Sequence, residues 1–122
     1  MREERGTVSG DIVVYEPYTL WGSVGGDVKV IEGGKFYLRG TIYGNLLVDA
    51  GGRAHIFGNV VGSVTVEPKA KLVHSGVISG DAINNGGRLF IESIGEVRGK
   101  VKNHKGAETT IQPHQKPEKP RE

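Results

Sequence analysis

Two glycines four residues apart, bracketing a branched apolar residue, recur along this chain at a nearly fixed interval. The copies are GTVSGD from Gly6, GSVGGD from Gly22, GTIYGN from Gly40, GNVVGS from Gly58, GVISGD from Gly76 and GEVRGK from Gly95, so the steps are 16, 18, 18, 18 and 19 residues. A second marker lies between the pairs: EGGK at Glu32, AGGR at Ala50 and NGGR at Asn85, with EPKA at Glu67 standing in once. A fixed period of this length is the signature of a solenoid, in which each repeat buries its apolar face only against its neighbours.

The apolar residues keep the same period. One column reads Val24, Ile42, Val60, Ile78, Val97; another reads Val28, Leu46, Val64, Ala82; a third begins at Ile12 or Val14 and continues Val30, Val48, Val66. Phe36, Ala54, Leu72, Leu89 and Leu20, Leu38, Ile56, His74, Ile91 complete the set. Within one copy the apolar spacing is two, which is the period of a strand. No segment carries a helical stripe, and glycine and β-branched residues are poor helix formers. The expectation is an all-β, single-stranded, three-sided β-helix of about six turns of 18 residues, spanning 6–102. A charged extension, 1–5, precedes it, and a polar, proline-bearing tail, 103–122, is expected to be disordered. Glycine at the corners is explained by φ > 0 or by close passage of neighbouring chain. Asp11, Asp27, Asn45 and Asp81 each follow a second glycine and are expected to accept backbone N–H bonds there.

Periodicity leaves the hand of the coil open. A left-handed β-helix places an aliphatic residue every six positions, and Val24, Val30, Phe36, Ile42, Val48, Ala54, Val60, Val66 and Leu72 satisfy that. The glycine placement and the V-x-G-x-V steps, as in VGGDVKV from Val24 and IYGNLLV from Ile42, resemble the bactofilins, bacterial polymer-forming cytoskeletal proteins. The resemblance covers Gly6 to Val101. It implies a right-handed triangular β-helix that polymerises end to end without a nucleotide. The chain departs from the family pattern in its short, charged start, MREERG, which carries no hydrophobic leader for membrane attachment.

The remaining features narrow the function classes. The net charge is +2 and no basic run is present, which gives no basis for a nucleic-acid partner. There are no cysteines, which fits a reducing, cytoplasmic setting. No catalytic, metal or cofactor constellation is visible, so an enzyme is not expected. His55 and His74 are one residue out of phase with the repeat and point to opposite sides of a strand, which argues against a shared metal. His74, in an aliphatic column, reads as a buried hydrogen-bonded side chain; its other reading is the general base of a left-handed β-helix acyltransferase.

The ends of a solenoid expose unpaired backbone and a slice of core. Val8, Ile12 and Val14 at one end, and Val97 and Val101 at the other, are the expected surfaces for self-association into filaments. Trp21, Arg39 and Phe57 form one outward column with Tyr37 and His55 beside it. They are read either as a ladder stabilising the corner or as a lateral face for a polysaccharide or protein. Tyr15 and Tyr18 are expected to plug the first end. The favoured reading is a self-assembling scaffold that recruits other proteins through its tail or its aromatic face; a small binding module is the alternative.

Overall fold

The computed structural model describes residues 2–113, and they form stacked coils of parallel strands with no helix. Each coil has three sides of unequal length. The long face has seven strands: Arg2–Glu4, Pro17–Leu20, Lys35–Leu38, Arg53–Ile56, Lys71–His74, Arg88–Ile91 and Glu108–Ile111. The short face has six, each of two residues: Thr7–Val8, Ser23–Val24, Thr41–Ile42, Asn59–Val60, Val77–Ile78 and Glu96–Val97. The third face also has six: Ile12–Val14, Val28–Val30, Leu46–Val48, Val64–Val66, Ala82–Asn84 and Val101–Asn103. Strands pair in parallel with the equivalent strand one rung away, as in Ala54 with Phe36 and Leu72.

The inward columns are those the repeat predicts. Leu20, Val24, Val28, Val30, Leu38, Ile42, Leu46, Val48, Ile56, Val60, Val64, Val66, Leu72 and Ile78 are all buried. Each such aliphatic side chain contributes roughly 1.5–3 kcal/mol relative to exposure, and the column geometry lets none of them turn out without breaking two strand pairings.

The paired glycines are explained by close approach, with φ > 0 only at Gly10 among them. A Cβ on Gly40 would lie 1.8 Å from the Gly22 carbonyl oxygen, and one on Gly58 2.0 Å from that of Gly40. At the second glycine the obstacle is a side chain. The Asp27 Oδ1 accepts the Asn45 N–H at 2.7 Å, the Asn45 Oδ1 accepts that of Ser63 at 2.8 Å, and the Asp81 Oδ1 accepts that of Lys100 at 2.8 Å. Asp11 starts this ladder on the Asp27 N–H at 2.7 Å. The expected corner role of these residues therefore holds, and any Cβ on the preceding glycine of the next rung would collide with the ladder. Left-handed backbone is concentrated at the corner between the third and long faces, at Gly33, Gly51, Gly86 and Gly106. There Lys69 takes the place of a glycine, with φ 70°.

Four expectations need correction. The charged start is part of the solenoid: Arg2, Glu3 and Glu4 pair with Tyr18, Thr19 and Leu20. The polar segment after 102 is not disordered throughout, because Glu108–Ile111 pairs with Arg88–Ile91 as the last strand of the long face. Its β-branched Thr109, Thr110 and Ile111 suit an edge, and its polar inward residue finds partners in Asn84 and Asn103. Residues 114–122 of the expected tail lie outside the described residues. Val14 is 1% exposed and belongs to the core, in register with buried Val30 on the next rung. Tyr18 is likewise core, tilted against Phe36 at 6.2 Å, while Tyr15 is exposed and plugs nothing.

Candidate interaction surfaces

The two ends differ in chemistry. At the first end, Val8 and Ile12 are partly buried apolar side chains at the rim of the core. On the long face the inward positions are charged. Arg2 lies over the Tyr18 ring at 5.5 Å and pairs with Glu16 at 3.2 Å, while the Glu4 carboxylate accepts the Gly6 N–H at 3.1 Å. Inward charges are a known way of blunting a free strand edge. At the second end Val97 and Val101 are partly buried against the core, and Ile94 and Ile111 are exposed. Beside them sits a polar bracket: Asn84 Nδ2 donates to the Glu108 carbonyl at 3.1 Å and to Thr109 Oγ1 at 2.9 Å, and Thr109 donates to Asn103. Among the described residues no helix covers either end.

The aromatic column forms a continuous ladder along the corner between the long and short faces. Arg5 lies over the Trp21 ring at 4.9 Å, Arg39 over the same ring at 5.2 Å, and Arg39 over Phe57 at 4.3 Å. His55 stacks on Phe57 with centroids 3.8 Å apart. Phe57 thus packs against both a guanidinium and an imidazole, and Trp21 contacts two guanidiniums. These rings are committed to stabilising the corner, and a sugar or base seeking to stack on them meets the protein's own cations first. Tyr37 lies in register with His55 on the neighbouring rung and is half-buried.

The ladder continues into a polar cluster that sequence reasoning missed. Ser75, one rung beyond Phe57, donates its hydroxyl hydrogen to Glu92, and His55 Nε2 lies 3.0 Å from Ser75 Oγ. A serine has one hydroxyl hydrogen, so His55 Nε2 is the donor in its own contact. The three side chains thus form a chain of hydrogen bonds across successive rungs, with Ser75 between the imidazole and the Glu92 carboxylate. Burial lowers the His55 pKa, with Glu92 pulling it up and Arg39 pushing it down.

His74 is fully buried, and its Nε2 donates to the Glu96 carbonyl at 2.8 Å. Its Nδ1 is buried with no partner among the described residues. Burial lowers its pKa first, the Glu96 carbonyl opposes that, and His55 adds to it. A base with no exposure and its N–H already engaged has no route to a substrate. Among the described residues no group of three His, Cys, Asp or Glu side chains converges as a metal site requires.

The folded chain also clusters charge that the linear sequence disperses. Lys35, Arg53, Lys71 and Arg88 stand directly opposite one another on successive strands of the long face and are exposed. Arg88 pairs with Glu108 at 3.2 Å; among the described residues, Lys35, Arg53 and Lys71 form no ion pair. Like charges directly opposite across a strand pair are destabilising. The sequence signal was the basic residue that ends EGGK, AGGR and NGGR.

Comparison with known proteins returns no matching family model, no matching curated protein and no matching solved structure.

Proposed function

We propose that this chain is a structural, self-assembling protein whose β-solenoids stack end to end into filaments without a nucleotide and serve as a cytoplasmic scaffold, in the manner of the bactofilins it resembles. The observation that carries this reading is the state of the ends. Among the described residues, the final strands of each face leave backbone donors and acceptors along a free edge, and Val8 and Ile12 at one end, with Val97 and Val101 at the other, are only partly covered core residues. Added strands would satisfy those edges and bury those side chains, which is the usual way a solenoid gains stability from length. The blunted long-face strand, Arg2–Glu4, makes the second end the stickier of the two.

Negative-stain microscopy of the purified full chain tests the reading. Filaments are expected, and the double change Val97→Asp, Val101→Asp is expected to reduce them to short oligomers while circular dichroism stays β-rich. A monodisperse single-chain species at high protein concentration would overturn it.

A further inference from the structure

The corner between the third and long faces carries two charge stripes of opposite sign. On the long-face side stand Lys35, Arg53 and Lys71, in register on successive strands; on the third-face side Asp49 and Glu67 stand in register, with Glu32 one residue later, level with Ala50 at the tip. Each acid lies three or four residues before its base, across the same turn, yet among the described residues none of these acids forms an ion pair with its neighbouring base. Asp49 Oδ1 accepts the Ala50 N–H at 2.8 Å and its Oδ2 lies 4.0 Å from Lys29, and the Glu67 carboxylate accepts from Asn85 at 3.2 Å. Between the stripes the tip carries exposed Gly33, Ala50 and Gly51, with Glu32 and Pro68 level with Ala50 and Lys69 level with Gly51 on neighbouring rungs.

We propose that this corner is a lateral interface with a second copy of the same chain, related by a two-fold axis parallel to the solenoid axis. The rung spacing argues for the partner. The basic stripe and the step from Asp49 to Glu67 repeat at the interval between parallel strands, about 4.8 Å, and a partner that presents complementary charges at that interval is another copy of this solenoid. The symmetry follows from the sign pattern. A two-fold axis running along the solenoid just outside the tip turns the basic stripe of one copy onto the acidic stripe of the other and does the same in return, at equal height on every rung. A two-fold axis across the solenoid and perpendicular to the line joining the copies would set base against base. The contact is isologous, so it closes as a pair and does not compete with stacking at the ends. It neither requires end-to-end filaments nor follows from them.

The chain has no cysteine, so one thiol introduced at the tip reports this geometry alone. In the full chain, Ala50→Cys should form an interchain disulfide at low salt at least about tenfold faster than Ser79→Cys, an exposed residue at a different corner, and should lose that advantage in high salt. On the Ala50→Cys background, Lys35→Glu, Arg53→Glu, Lys71→Glu together should abolish cross-linking, and so should Glu32→Lys, Asp49→Lys, Glu67→Lys together. An equimolar mixture of the two charge-reversed chains should restore it, as hetero-dimers. End stacking predicts none of this pattern, because it keeps the Ala50 residues of adjoining copies a molecule apart. Equal rates for the two thiols, indifference to charge reversal, or failure of the mixture to restore cross-linking would each overturn the proposal. Retention on a polyphosphate resin that depends on the basic stripe, in a chain whose Ala50→Cys does not cross-link, would make the occupant a polyanion and overturn it too.

Discussion

Asn84 holds Thr109 from one rung below, its Nδ2 donating to Thr109 Oγ1 at 2.9 Å while its own Oδ1 accepts the Gly87 N–H at 2.8 Å. It occupies the inward column of Val48 and Val66, yet is fully buried and fully engaged, with further bonds to the Glu108 carbonyl and the Gly86 N–H. One side chain thus ties the turn at Gly86–Gly87 to the last strand of the long face.

Asn84→Val fits the column in shape but strands those backbone groups. Leaving buried donors and acceptors unpaired costs about 1–3 kcal/mol. The loss should be local: amide exchange at Glu108–Ile111 should accelerate strongly, with urea unfolding of the body shifted by a smaller amount. Unchanged protection at those amides would show that the strand is held by its ladder alone.

The glycine pairs predict a graded response to alanine. Gly40→Ala sets a Cβ against backbone that cannot move without parting two rungs, at 1.8 Å from the Gly22 oxygen, and should cost about 3 kcal/mol or more. Gly10→Ala meets nothing within 4 Å, so only its φ of +82° resists, at about 1 kcal/mol. Thermal melts of the two variants measure the difference; equal losses would mean that backbone conformation, not spacing, selects glycine at the pair.

The body of this fold was legible in the sequence because every interior rung repeats one rule. Val24, Ile42 and Val60 can share a column only if the chain advances by a fixed number of residues per lap. The ends were less legible because they break the rule. Arg2, Glu4, Asn84 and Thr109 sit at inward positions where the pattern asks for aliphatic side chains, and Arg2, Glu4 and Thr109 look like extension or tail until their partners are known. The charge stripes were hidden for another reason: Lys35, Arg53 and Lys71 are eighteen residues apart, so a search for basic runs along the chain passes over neighbours in space. The His55–Ser75–Glu92 relay spans successive rungs in the same way.

Arg39 bridges two rings, so its removal should loosen the corner from both sides. Arg39→Ala should cost about 1–2 kcal/mol, the sum of two exposed cation–π contacts. Trp21 is the sole tryptophan, and its emission should shift to the red as the guanidinium leaves. Arg39→Lys should recover only part of the loss, because an ammonium does not lie flat on both rings. Full recovery with lysine would reduce the contact to its charge.

His74 should make the solenoid sensitive to mild acid. Its pKa is lowered in the folded chain, mainly by burial, while the unfolded chain takes up a proton near pH 6.5. Below that pH the unfolded state binds more protons than the folded one, so stability falls as pH falls, by up to about 1.4 kcal/mol per pH unit while only the unfolded histidine is charged. Above it both forms are neutral and the effect vanishes. A proton arriving at Nδ1 would also find no acceptor among the described residues. His74→Leu restores the aliphatic column of Ile56 and Ile91 and should flatten the melting temperature between pH 7 and pH 5, leaving the slope from His55, whose pKa burial also lowers. If the leucine variant kept the full acid-side loss, the sensitivity would lie elsewhere and the buried imidazole would be a neutral spacer.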